Sequence, residues 1–396
     1  MLDWGHLEAG GGAMAGDGLA GAAGWYLSAG VQGQARRASH HARVMLALRQ
    51  DKALNARNVL PLLRQLEQAR YRPSVGAVLL QLGGNMPMAY AQEIRQRTWA
   101  LKRQGKAVYC DLAAASGNEL YACSAATTRF LDPAGMVRLL GPAIDVLLFG
   151  KLLARLGVRA QFVRIGKYKS APEQWTRPRM TRPAQAQRQA LLDDLYGRLQ
   201  QDLARDLRWS KAKVRRIIDK GPYAAGEARE QGLVDVLSDP HDVSAHIRAR
   251  HGQVWPMRDK LPPPPHRHWG KGARVGVVVI DGTIIDGENL DVPLIDVHLT
   301  GGRTVVETLE RFRRDPHIRA VVLRVDSPGG SALASDQIWR AVRRLAKQKS
   351  VIASMGAVAA SGGYMAAAGA DEIWADPATL TGSIGVFFGK VDLSML

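Results

Sequence analysis

Apolar residues along this chain fall into short β-branched runs alternating with stretches of helical spacing, and the same order of runs occurs twice. In the C-terminal half, Arg274-Val275-Gly276-Val277-Val278-Val279-Ile280-Asp281 has the uninterrupted apolar character of a strand covered on both faces. Val305, Val306, Leu309 and Phe312 then recur at helical intervals. A second strand over 318–325 runs into Asp326-Ser327-Pro328-Gly329-Gly330, and a helix is predicted over 333–347. A strand over 351–355, a turn at Ser361 and a helix of small residues come next. A strand over 372–375 then precedes Asp376-Pro377 and Thr381-Gly382-Ser383-Ile384-Gly385.

The N-terminal half repeats that order. A strand over 43–48, a helix over 60–69 and a strand over 76–82 lead to Gly83-Gly84, a helix over 89–104 and a strand over 107–110. Ser116-Gly117-Asn118-Glu119 then stands where Ser361-Gly362-Gly363-Tyr364 stands later, and Leu131-Asp132-Pro133 matches Ala375-Asp376-Pro377. This copy continues through a helix over 143–156 and a strand over 159–165, a continuation absent after Ser383 in the second copy. Strand–helix alternation of this kind predicts an α/β fold with mostly parallel sheets, built by duplication, the second repeat incomplete. Between the copies lie a helical stretch over 183–235 and four successive prolines at 262–265, too stiff for a helix or central strand. The expected domains are a disordered leader at 1–41, a first repeat at 42–182, a helical linking segment at 183–240, a Pro-rich linker at 241–272 and a second repeat at 273–396.

Composition narrows the function classes. With 396 residues and 46% hydrophobic content the chain can bury more than one core. A net charge of +18 calls for a negatively charged partner, and residues 161–220 hold 15 Lys/Arg against 6 Asp/Glu. That segment has few aromatics interleaved with the basics and no recognisable nucleic-acid motif, so a solvated face or an anionic membrane surface is expected, and no nucleic acid. No run of 18 apolar residues marks a spanning helix. The Gly/Ala-rich start carries Asp3, Glu8 and Asp17 and has no basic n-region, which makes it a poor signal peptide. Cys110 and Cys123 read as ordinary buried small residues, and neither they nor His40 and His41 have metal-ligand spacing. No cofactor is implied.

The chemistry resides in two segments far apart in sequence. Ser361 follows a strand and opens a helix of small residues, where backbone N–H groups face an incipient anion. Gly362 and Gly363 let another backbone lie close, and Gly329 or Gly330 is the natural second donor of an oxyanion hole. Taken alone, Ser-Gly-Gly reads more readily as a helix N-cap than as a catalytic serine. Arg164-Ile165-Gly166-Lys167-Tyr168-Lys169-Ser170-Ala171-Pro172-Glu173 offers a lysine, whose amine is a proton acceptor only when uncharged. Desolvation between the repeats would supply that state, with Lys167 or Arg164 adding repulsion. Lys167 is the competing choice of base. Asp326 reads as a strand-end structural residue rather than a catalytic acid, and neither His266 nor His268 is placed to act.

In their order, Asp-Ser-Pro-Gly-Gly, Ala-Ser-Gly-Gly-Tyr, Thr-Gly-Ser-Ile-Gly, the Tyr168-Lys169-Ser170-Ala171 segment and Gly221-Pro222-Tyr223…Gly232-Leu233-Val234-Asp235 resemble the long, tandem-repeat form of the signal peptide peptidase A (protease IV) family, peptidase family S49. The resemblance runs from about residue 43 to 396. It implies tandem crotonase/ClpP-like repeats and a serine endopeptidase cleaving short hydrophobic peptides, such as remnant signal peptides, through an acyl-enzyme. Ser361 would be the nucleophile, Lys169 the general base and Ser383 the hydroxyl that orients the lysine, with Gly329, Gly330 and Gly362 around the oxyanion. The first repeat, with Glu119 beside Ser116 and Gly83-Gly84-Asn85 in place of Asp-Ser-Pro-Gly-Gly, would keep only Lys169 and architecture. The resemblance further implies a homo-oligomer (a tetramer in the family) on the periplasmic side of the bacterial inner membrane. Two other readings compete: a crotonase-type acyl-CoA enzyme, and an inactive membrane-associated scaffold suggested by the short second repeat.

Overall fold

The computed structural model describes residues 7–14, 24–31, 44–251, 256–262, 272–292 and 297–394. The chain divides into two units, Met1–Arg43 and Val44–Leu396. In the first, Leu7–Met14 and Gly24–Val31 pair as an antiparallel hairpin where a disordered leader was expected. Trp25, Tyr26 and Leu27 in its second strand are β-formers, which the Gly/Ala-rich average of the segment conceals.

Within the second unit the first repeat is built on a sheet of six strands, all parallel. Its order is Val236–Leu237, Thr128–Leu131, Ala107–Leu112, Val75–Leu82, Val44–Gln50, Met257–Arg258. The second repeat has Arg274–Asp281, Ile318–Ser327, Ser350–Ala360 and Glu372–Trp374 in parallel, with Leu380–Gly382 pairing to the far end of Ser350–Ala360. Helices Val59–Tyr71, Met88–Arg103 and Gly117–Cys123 of the first copy correspond in order to Gly302–Arg314, Ala332–Ala346 and Gly362–Ala367 of the second. The apolar runs form the sheets because successive side chains of a covered strand are buried on both faces. Leu46, Val78, Leu80, Val108 and Leu112 make one core, and Ile280, Leu323, Val325, Val351 and Ala353 the other.

The boundary expected over 240–272 is not a free linker. Helix Val243–His251 places Val243 and Ile247, four residues apart, against Met45, Leu79 and Phe130 on the outer face of the first sheet. Met257–Arg258 then adds the edge strand. Pro263, Pro264 and Pro265 with His266 and His268 lie outside the described residues, as do His40 and His41. The linking segment is helical over Arg182–Leu207, Lys211–Lys220 and Ala225–Gln231, and its short strand Tyr223–Ala224 pairs with Met136–Arg138 of the first repeat. The helix expected over 143–156 is confined to Gly150–Arg155.

Both repeats lie in the one compact unit, and polar contacts join them. Arg324 donates to Glu93 at 2.6 Å, Gln96 to Asp376 at 2.9 Å, and the Ala378 N–H to Gln92 at 3.0 Å. All three first-repeat partners sit on helix Met88–Arg103. Cys110 and Cys123, read as separate buried thiols, form a disulfide. The helix after Ser116 packs back along the strand carrying Cys110, bringing the Cα atoms to 5.9 Å, inside bonding range.

Candidate active site

Parallel pairing of Ala360 with Gly382 brings the C-terminal ends of two neighbouring strands together, and Ser361 and Ser383 come directly after them. Both serines have positive φ, 53° and 48°. Among the described residues, Arg208 alone of the other non-glycines shares that sign. Ser361, at φ 53° and ψ −116°, occupies the conformation of the first central residue in a type II′ turn, ordinarily left to glycine. It occupies the N-cap position of helix Gly362–Ala367, yet its hydroxyl makes no capping bond. A capping serine sits in extended backbone, and this one does not. The hydroxyl is left for other work.

Lys169 reaches it by a specific route. Strand Arg159–Arg164 pairs antiparallel with Phe387–Asp392, the strand after Ser383, and the Ile165 N–H continues the ladder to the Val386 carbonyl. This two-stranded ribbon fastens the chain leading into Lys169 to the chain leading out of Ser383. Arg164 donates to the Lys169 carbonyl at 3.0 Å and to Glu173 at 2.8 Å. Glu173 is buried, which pushes its carboxyl up, but the Thr181 N–H, the Thr181 hydroxyl and Arg164 outweigh that and hold it below the usual carboxylate range.

The Lys169 side chain is 5% exposed. Its Nζ lies 3.1 Å from Ser361 Oγ, 3.1 Å from Ser383 Oγ and 2.5 Å from the Ser383 carbonyl oxygen. Nζ is the donor in all three contacts, and loss of one proton would leave a lone pair for the Ser361 O–H. Burial lowers the Lys169 pKa, since desolvation penalises the ammonium. The repulsion expected from Lys167 and Arg164 plays no part: Arg164 is paired with Glu173, and Lys167 is exposed with its Nζ over the Tyr168 ring at 5.2 Å. Lys167 is thereby set apart from the serine.

The glycine loop packs directly on the serine. A Cβ built at Gly329 would stand 2.6 Å from the Gly362 nitrogen and 2.8 Å from Ser361 Cβ, so only hydrogen fits. The Gly329 N–H donates to Ser327 Oγ at 3.1 Å, which takes it out of the expected donor set. The neighbouring amides are used differently: Ser331 N–H bonds the Ile284 carbonyl, and Gly330 N–H finds no protein acceptor among the described residues. Gly362, at the first position of its helix, has a likewise unpaired N–H.

The first repeat's counterpart is occupied by structure. Ser116 has ordinary extended backbone, φ −73°, and its N–H is taken at 2.6 Å by Glu119. Asn118 donates to the Met86 carbonyl across the loop. Asp326 is held away from the chemistry, accepting from the Val358 N–H at 2.8 Å and from the Tyr90 hydroxyl. The anchoring roles of Glu173 and Arg164 escaped the sequence reading; their spacing of nine residues across a turn left no local signature. Among the described residues no His/Cys/Asp/Glu group is placed to hold a metal, and no helix is long and apolar enough to cross a membrane.

The profile of peptidase family S49 matches residues 100–253 and 343–396, more than half of the chain. The chain is 29% identical over 346 residues to the chloroplastic serine protease SPPA of Arabidopsis thaliana, covering 83% of this chain and 50% of the relative. It is 32% identical over 346 residues to Protease 4 of Haemophilus influenzae, covering 81% and 55%. Identity to Protease 4 of Salmonella typhi is 30% over 360 residues, covering 84% and 56%. The chain therefore spans about half the length of the curated relatives it matches.

Proposed function

The chain belongs to peptidase family S49, and we propose that it is a serine endopeptidase working through a Ser361–Lys169 dyad on short hydrophobic peptides such as remnant signal peptides. The observation that carries this reading is the contact of a buried lysine nitrogen with the hydroxyl of a serine in a conformation normally reserved for glycine. Neutral Nζ of Lys169 takes the Ser361 proton as Oγ bonds to the peptide carbonyl carbon. The carbonyl electron pair moves onto oxygen, which the N–H groups of Gly330 and Gly362 receive. Collapse breaks the C–N bond, and the Lys169 ammonium returns its proton to the departing amine. Water then bonds to the ester carbon and gives a proton to Lys169; the C–Oγ bond breaks, Lys169 returns the proton to Ser361 Oγ, and the peptide acid leaves. Ser383 holds Nζ through both its hydroxyl and its carbonyl, which fixes the lone pair toward Ser361.

The acyl-CoA alternative needs a carboxylate at the reacting centre; the nearby Asp326 is bonded to Val358 and Tyr90 instead. A periplasmic location on the inner membrane belongs to the same proposal, supported by the Cys110–Cys123 disulfide, which forms in oxidising compartments. Assembly as a tetramer and contact of the basic segment with anionic lipid are its remaining parts, read by light scattering and vesicle co-sedimentation. The activity itself is tested with a fluorophosphonate probe and a fluorogenic hydrophobic peptide. Labelling and cleavage lost in Ser361→Ala and Lys169→Ala but kept in Ser116→Ala support the dyad; a folded protein that neither labels nor cleaves favours the scaffold reading.

A further inference from the structure

The parallel ladder between Ile318–Ser327 and Ser350–Ala360 breaks once. Val325 pairs with Met355, but Ser327 pairs with Ala359, so three residues, Gly356, Ala357 and Val358, stand opposite Asp326 alone. Such a bulge bends its strand and re-aims the residues beyond it. Ala360 and Ser361 are the residues re-aimed in this strand. Every extra backbone group must find a partner away from the ladder, or the bulge collapses into regular pairing.

The partners are specific, and Tyr90 and Gln92 of the first repeat stand behind them. Val358 N–H donates to Asp326 Oδ1 at 2.8 Å. The hydroxyl of Tyr90, which lies beside the bulge, donates to the other oxygen of Asp326. The Gly356 carbonyl accepts from Thr379 Oγ1 at 2.8 Å. Gln92, two residues from Tyr90 on the same helix, accepts from Ala378 N–H and holds the segment bearing Thr379. A Cβ at Gly356 would be tight, 3.0 Å from the Tyr90 hydroxyl and 3.2 Å from Asp326 Cβ, so the bulge packs closely on both. Tyr90 is fully buried, and the Arg324 guanidinium lies 5.6 Å from its ring centroid while bonding Glu93. The hydroxyl therefore has no water to replace its partners.

We propose that Tyr90 is a positioning residue for the active site: through Asp326 it holds the bulge that sets Ser361 against Lys169, so the first repeat shapes the site as well as supplying its base. The inference rests on the Ser361–Lys169 reading for its kinetic consequence, but not for its structural one. In the first copy the penultimate residue of the equivalent strand is Gln81, which bonds Asp111 within its own repeat. The inter-repeat clasp is therefore confined to the copy that carries Ser361.

The test uses Tyr90→Phe in the full chain, which keeps the ring and removes one oxygen. The expected result is a fall in kcat of roughly tenfold to a hundredfold at unchanged KM, the size expected for misplacing a reacting group by a fraction of an ångström to an ångström. Faster hydrogen exchange at Ala357 and Val358 accompanies it, while exchange in the core strand Val75–Leu82 stays at its wild-type rate. Asp326→Asn, which keeps an acceptor for Val358, is expected to lose less activity than Asp326→Ala. Wild-type kcat together with wild-type exchange at Ala357 and Val358 in Tyr90→Phe overturns the inference. Cleavage that survives in Ser361→Ala sinks the dyad instead, and the exchange measurement then decides the role of Tyr90 alone.

Discussion

Replacing Ser361 by alanine and by glycine should give two inactive proteins of different stability, with glycine the more stable. The reason is the backbone at φ 53° and ψ −116°, where a Cβ is crowded whatever the side chain beyond it. Holding a non-glycine residue in such a region costs about 1–3 kcal/mol. Glycine removes that strain. Against the gain stand roughly 0.4–1 kcal/mol from the greater freedom of glycine in the unfolded chain. A half-buried methyl adds about 0.4 kcal/mol on the same side. The balance favours glycine by about 1 kcal/mol, taken from the middle of the strain range. Both variants lose Oγ and its contact with Lys169, so their difference isolates the backbone. Urea unfolding at neutral pH, followed by far-UV circular dichroism, reads it as a higher midpoint for Ser361→Gly at equal slope. A glycine variant no more stable than the alanine variant would show that the junction is unstrained, and the mechanical account of the exposed hydroxyl would fail with it.

Activity should rise with pH as Lys169 deprotonates, with an apparent pKa below that of an ordinary lysine because burial disfavours the ammonium, and a kcat profile that falls with rising pH would refute this. Linkage gives the matching stability trend. Between the lowered folded value and the ordinary unfolded one the unfolded chain binds more protons, so stability climbs with pH across that window, and Lys169→Met should flatten the climb. Ser383→Ala should lower kcat by about 10-fold to 100-fold while Ser116→Ala leaves it unchanged, since Ser383 Oγ touches Nζ and Ser116 sits in a relaxed, carboxylate-capped turn. Reduction of Cys110–Cys123, which closes a 13-residue separation, should lower stability by about 3 kcal/mol, read from urea midpoints with and without dithiothreitol. Glu173→Gln should destabilise by roughly 1.5–3 kcal/mol, because its carboxylate takes charge-assisted bonds from Arg164 and two bonds from Thr181.

The duplicated α/β architecture was legible because strands covered on both faces write themselves as apolar runs, as Leu323–Val325 does; Val275–Ile280 reads the same way but is an edge strand covered on one face, with Val275 and Val277 exposed. Ser361, Lys169 and Ser383 were singled out from the resemblance of their segments to one family's motifs rather than from a local rule: Gly362 and Gly382 adjoin the serines, but Tyr168 and Ser170 adjoin the lysine. The bulge at Gly356–Val358 was not singled out. In Ala353-Ser354-Met355-Gly356-Ala357-Val358 the one local sign is Gly356, since glycine inside a strand pattern marks a bulge, while the groups packed on it, Tyr90 and Asp326, come from elsewhere in the chain. The disulfide was missed because a pair of cysteines with no framework carries no pairing signal until a turn folds one onto the other. Gly329 was assigned as a donor from its place in the loop, whereas Ser327 two residues earlier claims its N–H.

The lysine and the serine are separated by 192 positions along the chain. Synthesis runs from the amino end, so the amine leaves the ribosome long before the hydroxyl that it would activate exists. On the proposed reading, neither half carries both groups while it is being made. On that reading the two groups meet only once the ribbon of Arg159–Arg164 and Phe387–Asp392 has closed.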